Sequence, residues 1–547
     1  MSNTGLSIGE YLIKRLREYG LQDLFGIPGD YVLSLYGMLE KSPINVVGCT
    51  REDCAGFAAD AYARIKGLGA LCVTYCVGGL SVCNSIAGAY AEKSPVVLIT
   101  GSPGLNERVN NPLLHHMVRD FRTQIEVFEK LCVAVAELSD PMRAFAEIDR
   151  VLDAAVRFKR PVYLDIPRDM VDVRRPIAHV YYDPGVPSNP SALKEATNET
   201  IALLEAAQRP LILAGIEVHR FQLQDELLEL AEQTKVPIAA TLLAKSVIRE
   251  THPLFIGVYE GAMGTKEVTA YVEESDFVLL LGTFMTDINL GIFTANLDMG
   301  NCVCATSEEL RVHHHHYHGV QLQDFLSELK RRQPRATQRE VPACLKPKPE
   351  KFVLDADAQL TITRMIQRLN EQIDDATIVI ADIGDSLFAG TELITHERTD
   401  FLSPAYYTSM GFSVPAALGA SVACPNDRVL VLCGDGAFQM TGMELSTIVR
   451  HGYSPVVIVL DNHGYGTERL LHAGEWKFNE IHPWKYELLC EVLGGGTGYE
   501  VRTEGEFDAA LTAAWKSDSL SLIHVHLPEG DCSETLKRLG KRLGERV

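Results

Sequence analysis

In the stretch Val429 to Glu468, VLVLCGDGAFQMTGMELSTIVRHGYSPVVIVLDNHGYGTE, Asp435 follows one β-branched apolar run and Asn462 closes the next. A carboxylate and an amide oxygen on glycine-rich loops are hard ligands, suited to Mg²⁺ that keeps its other positions for water and phosphate oxygens. Gly434, Gly436 and Gly464 let backbone approach a diphosphate closely, although a lone Gly-Asp-Gly is also an ordinary turn. Far upstream, Glu52 follows the apolar segment NVVGCT and opens the small-residue segment REDCAGFAADAYARIKG. Taken alone, it is a favourable partner for a helix dipole. The pair His115 and His116 comes at the end of the loop LNERVNNPLLHHM, where acid–base work and plain surface exposure are both open readings.

Positioning such groups requires sheet edges. Val429 to Cys433 and Pro455 to Leu460 read as buried strands, and the segment between them, with Met443, Leu445 and Ile448 apolar, reads as one amphipathic crossover helix. A right-handed crossover makes the strands parallel and brings both carboxyl ends to one edge, so Asp435 and Asn462 share a pocket. The chain opens with Ser7 and Glu10 at capping-box spacing, then Leu12, Ile13, Leu16 and Tyr19 at helical period before Gly20. Short apolar strands (Val46 to Cys49, Leu71 to Tyr75, Val96 to Thr100, Val162 to Ile166) then alternate with helical stretches over residues 1–182. A polar segment, Asp183 to Ser191, separates these from a second alternation over 192–335, which begins with Pro210 to Ala214, Val236 to Thr241 and Phe277 to Gly282. The Pro- and charge-rich segment Gln333 to Phe352 reads as a second linker, and a third alternation, over 353–547, starts with a helix around Ala358 to Leu369. The expected architecture is three doubly wound, open parallel-sheet α/β domains, with the first and third as candidate structural cousins.

A chain of 547 residues exceeds what one hydrophobic core supports. Its 46% hydrophobic and 22% charged residues are a globular composition, and a net charge of −21 without a basic stripe argues against nucleic acid as a partner. No apolar run reaches the ~18 residues needed to cross a bilayer, and the start lacks a signal-peptide apolar region, so no membrane partner and a cytoplasmic location are expected. Thirteen scattered cysteines without paired zinc spacing point to reduced, buried thiols. The internal run His313 to His316, with His318, is poorly spaced for one closed metal site and reads as structural or surface histidine. GVYEGAMG, at Gly257 to Gly264, lacks the GxGxxG fingerprint, and the middle domain is expected to hold no ligand.

Five features in chain order carry a resemblance: GIPGDY at Gly26 to Tyr31, REDCAGFAADAYAR, the pair His115 and His116, SMGFSVPAALGA at Ser409 to Ala420, and the GDG-to-Asn site followed by Glu468. Over essentially its full length the chain resembles the thiamine-diphosphate (ThDP) dependent 2-keto acid decarboxylases, the group that acts on pyruvate, indolepyruvate, phenylpyruvate and branched-chain keto acids. The resemblance implies Mg²⁺ held by Asp435, Asn462 and the Gly464 carbonyl. It implies cofactor contacts from Glu52, Asp385, Thr408, Met410, Gly434, Asp435, Gly436, Ala437, Asn462 and Gly464. Glu52 would hydrogen-bond the aminopyrimidine ring and generate its imino form, and Met410 would be the apolar wedge that bends the cofactor. Asp30, His115, His116 and Glu468 would handle protons. The family pairs the first domain of one subunit with the third of its partner, which implies a homodimer or a dimer-of-dimers tetramer.

Departures from the family pattern bear on the substrate. Ile383 stands where Thr or Gln is frequent, Leu387 where short-chain pyruvate enzymes carry a bulky aromatic residue, and Thr408 where Gly is common. With Thr467 and Leu471, Ile383 and Leu387 would line a roomy apolar pocket. The expected activity is nonoxidative decarboxylation of a branched-chain, medium-chain or aromatic 2-keto acid to aldehyde and CO₂ through a ThDP carbanion/enamine. Rival readings are a pyruvate decarboxylase proper, or a ThDP carboligase of acetolactate synthase type or a benzoylformate decarboxylase relative. Synthases of that scaffold lack the His pair plus the following Glu. A non-catalytic homologue should have lost Glu52 or a metal ligand, and a dinucleotide-binding oxidoreductase should carry a Gly-rich fingerprint after an early strand.

Overall fold

The computed structural model describes residues 5–544 except 175–178, 183–184, 336–344, 346–349, 397–399, 473 and 475. Most of the expected linker Gln333 to Phe352, and the first two residues of the expected linker Asp183 to Ser191, lie outside the described residues. Three sheets follow one another along the chain. The first contains β1 (Asp23–Gly26), β2 (Asn45–Gly48), β3 (Gly69–Val73), β4 (Val96–Ser102), β5 (Ala134–Glu137) and β6 (Val162–Pro167), all parallel, in the order β2-β1-β3-β4-β6-β5.

The middle sheet contains β7 (Pro210–Ala214), β8 (Ile238–Thr241), β9 (Phe255–Tyr259), β10 (Phe277–Leu281), β11 (Cys302–Ala305), β12 (Leu310–Val312) and β13 (His315–Tyr317), in the order β13-β12-β11-β10-β7-β8-β9. The sheet is parallel from β11 through β10, β7 and β8 to β9, as expected, and carries an antiparallel edge, because β12 runs antiparallel to both β11 and β13. The histidine run explains it: His313 and His314 form a two-residue hairpin turn, with His313 at φ +51°, and so short a turn can join only antiparallel strands. His315 Nδ1 lies 2.9 Å from the Glu199 carboxylate and His316 Nδ1 lies 3.3 Å from that of Glu309.

The third sheet contains β14 (Thr377–Ala381), β15 (Asp400–Leu402), β16 (Arg428–Gly434), β17 (Val456–Asp461), β18 (Thr497–Val501) and β19 (Ser521–His526), in the order β15-β14-β16-β17-β19-β18. Counted from the start of each sheet, this is the strand order of the first. The single crossover helix expected between β16 and β17 is two helices, Asp435–Thr441 and Leu445–His451, joined by a 3₁₀ turn at Gly442–Glu444. Leu445 and Ile448 face the core, whereas Met443 at the break is half exposed.

The first and third domains meet through the helices Glu52–Lys66 and Ser413–Ala423, which are lined with Ala and Gly. Small side chains let the two backbones touch: a Cβ added at Gly419 would lie 2.1 Å from the Ala58 carbonyl oxygen. Around this contact Arg64, paired with buried Asp60 at 2.8 Å, donates to the Ser403 carbonyl at 2.8 Å. Fully buried Glu444 accepts the Thr50 N–H at 3.1 Å and the Thr50 hydroxyl. One hydrophobic core runs from Leu71 and Ile99 in the first sheet to Val414 and Val431 in the third domain. Gly419→Val should therefore force the helices apart at a cost of about 1–3 kcal/mol, the usual range for overpacking. The check is a calorimetric melt, in which Tm should fall by several degrees.

Candidate active site

Asp435, Asn462 and Gly464 meet at the carboxyl edge of the third sheet, where β16 ends at Gly434 and β17 at Asp461. The Asp435 carboxylate accepts the Gly436 N–H at 2.7 Å and the Gly464 N–H at 3.0 Å. Gly464 has φ +149°, and a Cβ there would lie 2.0 Å from the Asn479 carbonyl oxygen, so this turn closes only with glycine. Burial pushes the Asp435 carboxyl up to about 7; the neighbouring charge of Asp461 adds to this and the two N–H donors oppose it. Asn462 Oδ1 is buried and has no hydrogen-bond partner among the described residues. A buried carboxylate under strain and an orphaned amide oxygen side by side are both relieved by a cation.

The cleft around them, of about 390 Å³, is lined by Ile383, Gly384, Asp385, Thr408, Met410, Gly434, Gly436, Ala437, Thr467, Glu468 and Leu471 among others. The residues singled out in the third domain thus converge, with one exception. Leu387, expected at the substrate wall, is fully buried in the domain core, because that side of the short helix Asp385–Gly390 packs inward; its neighbours Ser386 and Phe388 reach the cleft instead. Asp385 lines the cleft, yet its carboxylate accepts the Ser533 N–H at 3.0 Å and the Ser533 hydroxyl, just before the final helix Glu534–Gly544. Burial raises that carboxyl to about 6.

Met410 and Thr408 sit on a loop with an unusual backbone: Thr408 has φ +58°, the left-handed region that β-branched residues rarely occupy. Two buried carboxylates that sequence reasoning missed hold this loop. Asp382 accepts the Gly411 N–H at 3.1 Å and the Ser413 N–H at 2.9 Å, and Glu92 of the first domain accepts the N–H groups of Tyr406 and Tyr407 at 2.7 and 2.8 Å. Asp382 carried the same signal as Asp435, an Asp directly after a buried apolar strand. Glu92 carried none, since its partners lie more than three hundred positions away.

The first-domain residues form a separate group. His115 Nε2 lies 2.7 Å from Asp30 Oδ2, and the His115 and His116 rings meet edge to face with centroids 4.8 Å apart. Buried Tyr31 stacks against His115 at 4.9 Å and so sets the orientation of the pair. Glu52 stands half-buried at the start of its helix. Among the described residues, none before Ile288 lines the third-domain cleft.

Three family models match the chain: the thiamine pyrophosphate enzyme N-terminal TPP binding domain over residues 6–125, the central domain over 197–317 and the C-terminal TPP binding domain over 382–525. Among similar proteins, the indole-3-pyruvate decarboxylase of Azospirillum brasilense is 35% identical, with 97% of each chain covered. Pyruvate decarboxylase 3 of Arabidopsis thaliana is 33% identical over 99% of this chain and 94% of its own. Pyruvate decarboxylase isozyme 3 of Saccharomyces cerevisiae is 32% identical, with 97% of each covered. The chain belongs to the ThDP-dependent 2-keto acid decarboxylases.

The residues at the third-domain edge fit the group that a ThDP enzyme must hold. Asp435 and Asn462 supply hard oxygen donors, one of them orphaned, and the glycines leave room for a diphosphate: Gly434 faces open space. Gly436 has no such room on its inner side, where a Cβ would lie 2.5 Å from the tip of the Ile481 side chain and 2.7 Å from the Tyr465 ring, so glycine there lets those two side chains pack against the helix start. Below about pH 7 a divalent cation must displace the Asp435 proton in the cofactor-free decarboxylase. Mg²⁺ affinity, measured by calorimetry, should therefore fall about tenfold per pH unit below 7 and level off above it. Asp435→Asn should flatten that profile as well as weaken binding.

Proposed function

We propose that this chain is a cytoplasmic, Mg²⁺- and ThDP-dependent decarboxylase that converts a branched-chain, medium-chain or aromatic 2-keto acid to an aldehyde and CO₂, working as a homodimer or a dimer of dimers. The observation that carries this reading is the division of labour between two sheet edges. The third domain gathers oxygen donors and glycines in a cleft, while Asp30, His115 and His116 are exposed at an edge of the first domain that does not reach it. A second copy whose first domain faces the cleft completes the site, and the twofold relation makes two such sites per pair. Exposed apolar side chains near the His pair in the chain (Val109, Leu113, Val118) and on or against the loop 408–411 (Tyr407, Met440) are surface that such a pairing would cover.

In the assembled site Asp435, Asn462 Oδ1 and the Gly464 carbonyl would hold Mg²⁺, and Glu52 of the second copy would hydrogen-bond the aminopyrimidine. ThDP, when bound, supplies an electron sink for the departure of CO₂. Asp30 at 2.7 Å orients the His115 imidazole, and Glu468, exposed in the first turn of the helix Gly466–Leu471, stands at the cleft as the second proton carrier. The wall formed by Ile383 and Leu471 supports a substrate larger than pyruvate, and with Leu387 buried the size argument rests on those two residues.

Each methylene buried against such a wall is worth roughly 0.8 kcal/mol, about fourfold in kcat/KM. Aldehyde formation with ThDP and Mg²⁺ should accordingly favour 2-ketoisocaproate, phenylpyruvate or indolepyruvate over pyruvate by about tenfold or more. A preference for pyruvate would make the chain a pyruvate decarboxylase proper. The shared site has its own test in co-expressed Glu52→Gln and Asp435→Ala subunits. Each variant alone should be inactive, whereas random pairing should restore about a quarter of wild-type activity, one intact site in half of the dimers. No recovery on mixing would place Glu52 and Asp435 of one chain in the same site.

A further inference from the structure

The ends of β17 and β19 hold a second group of metal-ligating side chains that the proposed reaction does not use. Asp461 and His526 are register partners on these neighbouring strands, and His524, two residues earlier, lies on the same face as His526. Asp461 Oδ2 is 2.9 Å from His524 Nε2 and 3.8 Å from His526 Nδ1, and the three ligand atoms lie within 4.8 Å of one another. Ligands about 2.05 Å from a tetrahedral ion stand roughly 3.3 Å apart, so shifts of about half an ångström would bring these two pairs to coordination distance.

The outward nitrogens make the stronger argument. His524 Nδ1 is held by Glu487 at 2.8 Å and His526 Nε2 by Glu500 at 3.0 Å. Each imidazole is thus anchored by a carboxylate on one side and presents its other nitrogen towards Asp461, the arrangement by which proteins orient histidine ligands to a metal. The Asp461 and His524 side chains are only 2% and 4% exposed, and the Tyr486 ring closes against His524 with centroids 4.9 Å apart. His526, at 16%, leaves one open side for water. The charges agree. Asp461, Glu487 and Glu500 meet one guanidinium, Arg502, which pairs with Glu500 at 2.7 Å, so with neutral imidazoles these groups carry two negative charges in excess, and the Asp435 carboxyl beside Asp461 adds to them when ionised.

We propose that Asp461, His524 and His526 form a second cation site, for a transition-metal ion of the Zn²⁺ or Co²⁺ class, distinct from the Mg²⁺ site next to it. Imidazole suits these ions, whereas Mg²⁺ prefers oxygen alone. The bound ion pins the end of β17 to β19 and so fixes the residue that immediately precedes Asn462. The competing arrangement is a plain ion-pair network with a proton in place of the metal.

The test is a ZnCl₂ titration of the full chain with saturating ThDP and Mg²⁺, by calorimetry and by elemental analysis after desalting. One Zn²⁺ per chain should bind. His526→Ala should abolish it, and Glu500→Gln, which removes no ligand, should weaken it about tenfold or more. Co²⁺ in the same site should give the visible absorption of a four-coordinate centre with nitrogen ligands, absent in His526→Ala. Absence of zinc binding, or binding that His526→Ala leaves unchanged, would overturn the proposal. Because His526 is the least buried of the three, its variant decides the matter even where His524→Ala fails to fold.

Discussion

The Ala58 carbonyl and Gly419 meet with no space for one extra carbon, and much of the functional architecture hangs on that contact. One of the two helices begins at Glu52 and the other follows directly on the loop that carries Thr408 and Met410. Backbone packed on backbone loses little side-chain entropy and leaves no rotamers to adjust, so the two elements behave as one body. The flanking bonds, Arg64 to the Ser403 carbonyl, Glu92 to the N–H groups of Tyr406 and Tyr407, and Glu444 to Thr50, work in the same direction. A loop that lines the cleft of the third domain is thereby positioned by the first.

Four aspartates along the edge of the third sheet, three buried and Asp385 half-buried, show how similar sequence positions acquire different roles. Asp382 is answered by the N–H groups of Ile383, Gly411 and Ser413, and becomes a structural clamp. Asp385 is answered by Ser533. Burial works against the charge of Asp461, but His524 and the His463 N–H outweigh it and hold that carboxyl below its ordinary range. Asp435 has two donors and a charged neighbour, and its carboxyl rises instead. Burial raises the carboxyls of Asp382 and Asp385 as well, so what sets Asp435 apart is its place in the cleft together with the unpartnered Asn462 Oδ1.

The sequence shows what is local. The β-branched runs at β16 and β17 lie within a residue of their observed ends, since strands buried on both faces read as continuous apolar stretches. The capping box at Ser7 and Glu10 is present with both of its bonds. What escaped was contributed by distant partners or by local geometry with no compositional mark. The Asp23–Gly26 strand is too short to show a period, and the break at Gly442–Glu444 is invisible in a sequence whose apolar spacing continues through it. Leu387 was assigned to the pocket by motif position, whereas one turn of a short helix decides which of Ser386, Leu387 and Phe388 faces inward. No window of residues encodes the separation of Asp30, His115 and His116 from the cleft within one chain; that expectation came only from the family resemblance.

The first and third sheets share one strand order, and this poses a problem during folding rather than in the folded state. Two segments of one chain that build the same sheet can exchange strands while both are incomplete, a characteristic misassembly of chains with related units. Synthesis order removes the opportunity. β6 ends at Pro167, and the first strand of the third sheet starts only at Thr377, so the whole middle sheet emerges between them. Domains fold as units, N-terminal first during synthesis, so the earlier sheet has the length of the middle domain in which to close its own ladder. The middle domain thus separates two like sheets along the order of synthesis.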